Sequence, residues 1–211
     1  GCLPTLLPGG RPVAEAEARA DLAAAWGVDQ LPDTTGRDTV GIIAALTAGE
    51  LTSAVIGGVE LTDLPDPAAA RAALEAAEFV ISLEVRASDV SPYADVVLPV
   101  APPVEKSGTF VNWEGRRRPF DTALEVAGSL PDVRVLAGIA EELGTPLGIR
   151  SVAAARRELD ELGAWDGARA PFATARATPP AESSAVVLDT WKQLIDDGRL
   201  QDGADTYRLT A

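Results

Sequence analysis

Short apolar runs punctuate the first half of the chain. Three of them, Leu51–Ile56, Phe79–Leu83 and Val96–Leu98, are almost wholly apolar and rich in β-branched residues. Such runs are typical of strands that are buried on both faces of a sheet. Apolar residues at helical spacing lie before and between the first two runs, at Thr39–Leu46 and Ala68–Ala77. This alternation predicts an α/β fold with a doubly wound, mainly parallel sheet and flanking helices.

Helices are also predicted on both sides of this region. The segment Ala14–Trp26 places Trp26 on an apolar face, which predicts a core residue. Pro131–Leu143 has a second apolar face, and Ser151 is a suitable N-cap for a helix that ends near Leu162. The core side of the Pro131–Leu143 helix is predicted to consist of Val133, Leu136, Ile139, Ala140 and Leu143.

The pattern divides the chain into three predicted regions. Residues 1–145 carry the α/β pattern, 146–184 hold a helix and an extended linker, and 185–211 begin a C-terminal segment or domain. A short helix at Leu188–Asp196, anchored by Trp191, makes the C-terminal extension helical. Because the sequence contains no Met, it is expected to be a piece of a longer polypeptide.

The charge balance is strongly acidic, with 32 acidic and 18 basic residues and a net charge of −14. Binding to nucleic acid is not expected, because neutralising phosphates requires a basic surface. The one basic cluster, Arg116–Arg118, is either a salt-bridged turn or a contact for an acidic partner or a phosphate. Apolar runs such as Gly41–Leu46 are too short to cross a bilayer, so direct membrane insertion is not expected either.

Chemistry that depends on cysteine or histidine is largely excluded. The sequence has one Cys and no His, so this segment alone cannot build a disulfide framework, a zinc site or an iron–sulfur cluster. A Ser–His or Cys–His nucleophile pair is excluded for the same reason. We therefore predict no catalytic residue and no metal site in it. The lack of disulfides fits a reducing, cytoplasmic setting.

A polar segment that ends at Phe120 follows the run at Val96–Leu98. A polar loop at the carboxyl end of a buried strand is a common ligand site in open α/β sheets, but a capped, solvated loop has the same composition. Both interpretations stay open from the residues alone. A glycine pair after the Leu51–Ile56 run would lie along the same edge of the sheet. The candidate binding residues are Gly57, Gly58, Gly108, Thr109, Asn112 and Arg116.

Structural roles are expected for the charged residues of this segment. Glu105 and Lys106 make a poor acid–base pair, since no second titrating group such as His accompanies them and neighbours on a strand point to opposite faces. An ion pair between Glu105 and Arg116 is expected to close the loop. Trp113 is either a core anchor or an interface hot spot.

The uncharged residues of the segment are expected to shape its backbone. Asn112 and Thr109 are predicted to hydrogen-bond loop backbone, and Gly108 and Gly115 to permit turns. Replacing Asn112 by Ala or Gly108 by Val should therefore affect folding or assembly rather than a chemical step.

Two groups of motifs resemble those of the molybdopterin oxidoreductase superfamily. Gly1–Val13, followed by Ala25–Gly27, is similar to the pattern GALPN.YPG…V…WG. Ala94–Pro99, Glu105–Asn112 and Glu114–Arg116 together are similar to the signature ADVVLP…EK.GTF.N.EGR. The likeness follows the same order along the predicted α/β region, and it implies the α/β fold of that superfamily.

Within the superfamily, the motif GTFVNWEGR and the stretch Thr190–Gly203 most resemble the large iron–sulfur subunit of bacterial respiratory complex I. This resemblance implies a NADH:quinone oxidoreductase in which this segment is a non-catalytic scaffold. It implies other subunits of complex I as partners, and a peripheral position on the cytoplasmic side of the inner (plasma) membrane. It also implies [2Fe–2S] and [4Fe–4S] clusters in an upstream part of the polypeptide, with no cofactor in this segment.

Two departures from the superfamily pattern concern the molybdopterin cofactor. Active relatives carry a GENP-like loop, whereas Val59, Glu60 and Leu61 hold the matching positions here. The Thr-Glu-Thr of their D.F.TET run is absent from Leu83–Val90. With the acidic net charge, these changes imply that molybdopterin is lost and that the candidate residues are remnants of a binding edge. A fragment of an active, formate dehydrogenase-like enzyme is the alternative, and a free-standing α/β binding module is a third.

Overall fold

The computed structural model describes residues 4–112, 114 and 116–169. The predictions for Trp113, for Gly115 and for everything from residue 170 onward, including the helix at Leu188–Asp196, lie outside the described residues. In chain order, the strands and α-helices are β1 (Leu6–Leu7), β2 (Arg11–Pro12), α1 (Ala16–Trp26), α2 (Thr39–Thr47), β3 (Ser53–Gly57), α3 (Pro67–Ala76), β4 (Phe79–Glu84), β5 (Val96–Pro99), β6 (Gly108–Val111), β7 (Arg117–Phe120), α4 (Asp132–Glu142) and α5 (Val152–Leu162).

A parallel sheet of β3, β4 and β5 forms the centre of the α/β region, as predicted. The register sets Gly57 beside Leu83, and Leu83 beside Leu98. Asp95 joins the inner strand to β5, since its backbone N–H donates to Val80 O at 2.9 Å and its carboxylate accepts from Val80 N at 2.7 Å. The described strands stand in sequence order across the sheet, so the doubly wound arrangement stays a prediction.

Local sequence signals set the ends of the helices. α1 ends at Gly27, whose φ of +64° suits glycine and lets its N–H reach the carbonyls of Ala23 and Ala24. Asp66 caps α3 by accepting from Ala69 N at 2.9 Å, ahead of a proline in the first turn. Ser151 caps α5 in the same way, as predicted. Within the described part of the chain, no helix combines the length and apolar content that a membrane span requires.

The core lies between the sheet and the helices that precede and follow β3. Its buried residues are Leu61, Ala70, Leu74, Val80 and Val90, with partly buried side chains such as Ile43 and Ile56 around them. Burying an aliphatic side chain of this size stabilises the fold by about 1.5–3 kcal/mol. The cluster therefore holds the loop after β3, which supplies Leu61, as well as the helices.

Three expectations about burial are wrong. Trp26 is 44% exposed, because α1 buries a narrow face of Ala18, Leu22 and Ala23 and leaves the indole free to donate to Glu158 Oε1 at 3.1 Å. On α4 the fully buried residue is Ala137, whereas two of the predicted core residues, Leu136 and Leu143, are exposed. The runs at Leu51–Ile56 and Val96–Leu98 form the two edge strands of the described sheet, so Val55, Val96 and Val97 are exposed rather than buried.

The polar segment before Phe120 is not simply a loop. β6 and β7 form an antiparallel hairpin, with Gly108 opposite Phe120 and Val111 opposite Arg117. Two short apolar-containing stretches separated by a Gly-containing turn are a hairpin signal, and the sequence interpretation missed it. This hairpin decides where the candidate site residues lie.

Candidate functional site

The carboxyl edge of the parallel sheet carries two of the candidate residues. Gly57 ends β3 beside Leu83, and Glu84 pairs with Pro99 at the same edge. Gly58 has a φ of +62°, and no atom lies within 4 Å of the position that a Cβ would take there. The glycine pair thus turns the chain sharply at an open edge, which is the position that ligands commonly use in parallel sheets.

A buried carboxylate occupies the centre of this edge. Glu84 is 3% exposed, and its Oε1 accepts hydrogen bonds from Ser82 Oγ at 3.1 Å and Ser88 Oγ at 2.7 Å. Ser91 Oγ in turn accepts from Ser88 N at 2.8 Å. Hydroxyl donors satisfy a buried acid in this way without exposing it to solvent. The network orders the loop that follows β4.

The loop after Gly58 closes against the core. Leu61 is 2% exposed and belongs to the core cluster, and Val59 contacts the same cluster. Glu60 in this loop and Arg86 in the loop after β4 both have interaction partners within the described structure. The loop therefore turns its apolar residues, Val59 and Leu61, toward the core.

Arg156 of α5 fixes the base of the hairpin, where two other candidates lie. Its Nη2 donates to Gly108 O, and also to Phe120 O at 2.8 Å. Its Nε donates to Thr109 Oγ1 at 3.1 Å. The prediction that Thr109 hydrogen-bonds loop backbone is wrong, because the hairpin brings the hydroxyl against α5 instead.

The turn of the hairpin holds the last two candidates. Asn112 Oδ1 accepts from Glu114 N at 3.1 Å and Arg116 N at 2.8 Å, so the predicted bonding of Asn112 to loop backbone is confirmed. Arg116 Nε contacts Glu114 Oε2 at 2.9 Å. Because both side chains are substantially exposed, this ion pair contributes little to stability.

The expected ion pair between Glu105 and Arg116 is not formed. Glu105 accepts from Ser129 Oγ at 2.7 Å, and Lys106 contacts Asp132 Oδ2 at 2.5 Å. The hairpin causes the difference, since it carries Arg116 to its turn while Glu105 precedes its first strand. Glu105 and Lys106 thus fasten the segment after β5 to the start of α4.

Gly108 is required for a close approach rather than for a turn. It is not among the glycines with positive φ, but an added Cβ would lie 2.4 Å from Cζ of Phe120. Phe120 stacks on Phe110 with ring centroids 4.7 Å apart. Any side chain at this position would have to displace the stacked pair.

We expect Gly108→Val to lower the free energy of unfolding by about 2 kcal/mol, because the new side chain overlaps the Phe120 ring. Urea titration of the parent chain and the variant measures the difference. Gly138→Val is the control, since no atom lies within 4 Å of a Cβ at this helical position, and it should change stability little. Equal stability of the Gly108 variant and the parent would contradict the steric role of Gly108.

The six candidate residues lie on two elements: the glycine pair ends β3, and the other four belong to the hairpin and its turn. Within residues 4–112, 114 and 116–169, no hydrogen bond or ion pair is found between the glycine pair at the sheet edge and the hairpin residues. Nor does this part of the chain contain three or more His, Cys, Asp or Glu residues grouped to hold a metal ion.

Comparison with known proteins identifies the family. The family model for molybdopterin oxidoreductase matches residues 9–141, which is more than half of the chain. The chain belongs to the molybdopterin oxidoreductase family. The match includes β3, β4, β5 and the hairpin, so the matched region contains all six candidate residues.

Among members of the family, relatives named as the G subunit of NADH-quinone oxidoreductase match the whole chain. The protein from Mycobacterium bovis is 49% identical over 216 residues and that from Streptomyces coelicolor 50% identical over 217 residues. The chain spans only 27% and 26% of these two relatives, respectively. A putative formate dehydrogenase from Staphylococcus haemolyticus is 35% identical over 147 residues, which cover 68% of the chain and 15% of that protein.

Sequence reasoning missed the residues that hold this family member together over long distances. Arg11 is 4% exposed and donates to Leu162 O at 3.1 Å and Gly163 O at 3.2 Å. Arg156 anchors the hairpin in a similar way. Most of their acceptors are backbone carbonyls, which no residue pattern identifies.

Proposed function

We propose that this chain is a non-catalytic scaffold portion of the large iron–sulfur subunit of a NADH-quinone oxidoreductase (respiratory complex I). The observation that carries the proposal is the identity of 49–50% along the entire chain to proteins named as the G subunit of that enzyme. The formate dehydrogenase relative is less similar and covers less of the chain. The whole subunit would support electron transfer from NADH to quinone, while this portion shapes and docks it.

The chemistry of the sheet edge supports a scaffold role. A pterin dinucleotide carries phosphates, and cationic or N–H donors would have to face them. The edge instead holds the buried carboxylate of Glu84, and the loop after Gly58 holds Glu60 and the core residue Leu61. Arg86 already has a partner. These residues do not fit a molybdopterin cofactor, and we infer that the candidate residues are remnants of a binding edge.

The remaining chemistry of the proposed subunit would lie outside this chain. We infer that [2Fe–2S] and [4Fe–4S] clusters are held upstream in the same polypeptide, and that other complex I subunits are its partners. The subunit would sit peripherally on the cytoplasmic side of the inner membrane. Residues 1–145 would form the family domain, 146–184 its helix and linker, and 185–211 the start of a further segment.

Metal and pterin analysis of the purified full-length protein tests the proposal. We expect iron and acid-labile sulfide, no stoichiometric molybdenum, tungsten or pterin, and co-purification with NADH:quinone activity. An active formate dehydrogenase-like enzyme is the second candidate, favoured by the match over 68% of the chain. Stoichiometric molybdenum and pterin with formate oxidation would establish that candidate instead.

A further inference from the structure

The hairpin of β6 and β7 has two chemically different faces. Residues opposite each other in an antiparallel pair share a face, and successive residues alternate between faces. From the register, one face carries Gly108, Phe110, Arg118 and Phe120, and we name it the outer face. The other, the inner face, carries Thr109, Val111, Arg117 and Pro119. The stacking of Phe110 on Phe120 agrees with this division.

Side chains of α5 hold the inner face. Thr109 Oγ1 accepts from Arg156 Nε at 3.1 Å, and Arg117 Nη1 contacts Asp160 Oδ1 at 2.9 Å. Thr109 and Arg117 lie on the same face of the hairpin, and their partners Arg156 and Asp160 are about one helical turn apart on α5. The hairpin is therefore oriented with its inner face toward this helix.

On the outer face, Phe110 and Arg118 are exposed, whereas the other two residues of that face are half-buried. The inner face also has exposed residues, such as Val111, but it has no aromatic ring. Phe110 is 63% exposed although it stacks on Phe120 with ring centroids 4.7 Å apart. Arg118 forms no ion pair in the part of the chain that the structure describes, and its Nη1 donates only to its neighbour's carbonyl, Arg117 O, at 3.4 Å. Acidic residues outnumber basic ones by 32 to 18, yet none of the described ones pairs with this arginine. Exposed aromatic and arginine side chains together are typical of interface hot spots.

We infer that the outer face docks an apolar surface, rimmed by a carboxylate, in the part of the same polypeptide that lies outside this chain. This inference rests on the proposed function. The chain spans 27% of its relative from Mycobacterium bovis, so most of a subunit of that size is available to cover the exposed ring. A carboxylate would pair with Arg118 while Phe110 is buried.

Other occupants fit the charge less well. A net charge of −14 repels nucleic acid, an anionic lipid surface and a second copy of the chain. A two-fold contact through the outer face would also bring two copies of Arg118 together. A surface of the same polypeptide needs no two-fold contact, and its carboxylate is held at a high local concentration that offsets the long-range repulsion.

The test places a photo-reactive p-benzoylphenylalanine at position 110 of the full-length protein. We expect irradiation to link it to a peptide of the same polypeptide, outside this chain, that contains Asp or Glu. Arg118→Glu should lower the yield of this link about fivefold. Arg134→Glu makes the same charge change at an exposed residue with no ion pair among the described residues, and it should leave the yield unchanged.

A reversal experiment keeps the inference falsifiable if Arg118→Glu disturbs folding. Replacing the acid nearest the linked site by Arg should restore the link in the Arg118→Glu background. Links only to another subunit, to lipid or to a second copy, or no link at all, would overturn the inference. Failure of the proposed function is recognised separately, by molybdenum content and by the absence of NADH:quinone activity.

Discussion

Replacing Arg11 by Ala is expected to lower the free energy of unfolding by about 3 kcal/mol, because one buried side chain is the donor to four acceptors, which all lose it together. Arg11 is 4% exposed and contacts Asp21 Oδ2 at 2.6 Å. It also donates to Pro8 O, Leu162 O and Gly163 O at 3.1, 3.1 and 3.2 Å. Urea denaturation of the chain and the variant gives the difference.

The arginine is expected to act through the shape of its guanidinium, not through charge alone. It bonds to the chain before β2 and to the end of α5 at once, and its Cζ lies 5.7 Å from the ring centroid of Trp165. Lysine cannot provide this planar set of donors, so Arg11→Lys should restore less than half of the loss.

An exposed ion pair provides the control for this prediction. Arg37 contacts Glu50 at 2.9 Å, with both side chains about half exposed or more. Arg37→Ala should cost no more than about 0.5 kcal/mol, since solvent screens such pairs. If Arg11→Ala were no more costly than Arg37→Ala, the stabilising role of the Arg11 bonds to the end of α5 would be refuted.

Local patterns account for the elements that the sequence predicted correctly. The strands β3, β4 and β5 are short runs rich in β-branched residues. The helix caps, such as Gly27 and Ser151, lie next to the helices that they end or begin. Asn112 could be assigned to loop backbone because its partners, Glu114 and Arg116, are near in sequence. These features depend on contacts over a few residues, and the sequence encodes them directly.

The features that escaped prediction depend on distant parts of the chain. Gly108 resembles a turn glycine in sequence, and its role is visible only once Phe120 is placed across the hairpin. Trp26 has the spacing of a core residue, but α1 needs only Leu22 and two alanines to fill its buried face. Val96 and Val97 resemble the residues of an inner strand and lie in an edge strand. The order of the strands in the sheet decides whether these valines are exposed, and the composition of a strand does not reveal that order.

Replacing Arg156 by Ala is expected to release the hairpin while leaving the parallel sheet intact. Arg156 bonds to Phe120 O at 2.8 Å, to Gly108 O and to Thr109 Oγ1, so it bridges both strands and α5. An isolated two-stranded hairpin is only marginally stable in water. Hydrogen exchange of peptides covering residues 108–120 should speed up about tenfold or more, and that of β3 to β5 should not change.

The neighbouring residue offers a matched control. Arg157 is exposed on the same helix and forms no ion pair among the described residues, so Arg157→Ala removes the same side chain without freeing the hairpin. Unchanged exchange of the hairpin in Arg156→Ala would show that other contacts hold it.

The comparison also bears on the outer face, because Phe110 and Arg118 can meet a partner surface only while α5 fixes their direction. We expect the cross-link from position 110 to be lost in Arg156→Ala and retained in Arg157→Ala. That result would show that docking of the outer face depends on the orientation that α5 gives the hairpin.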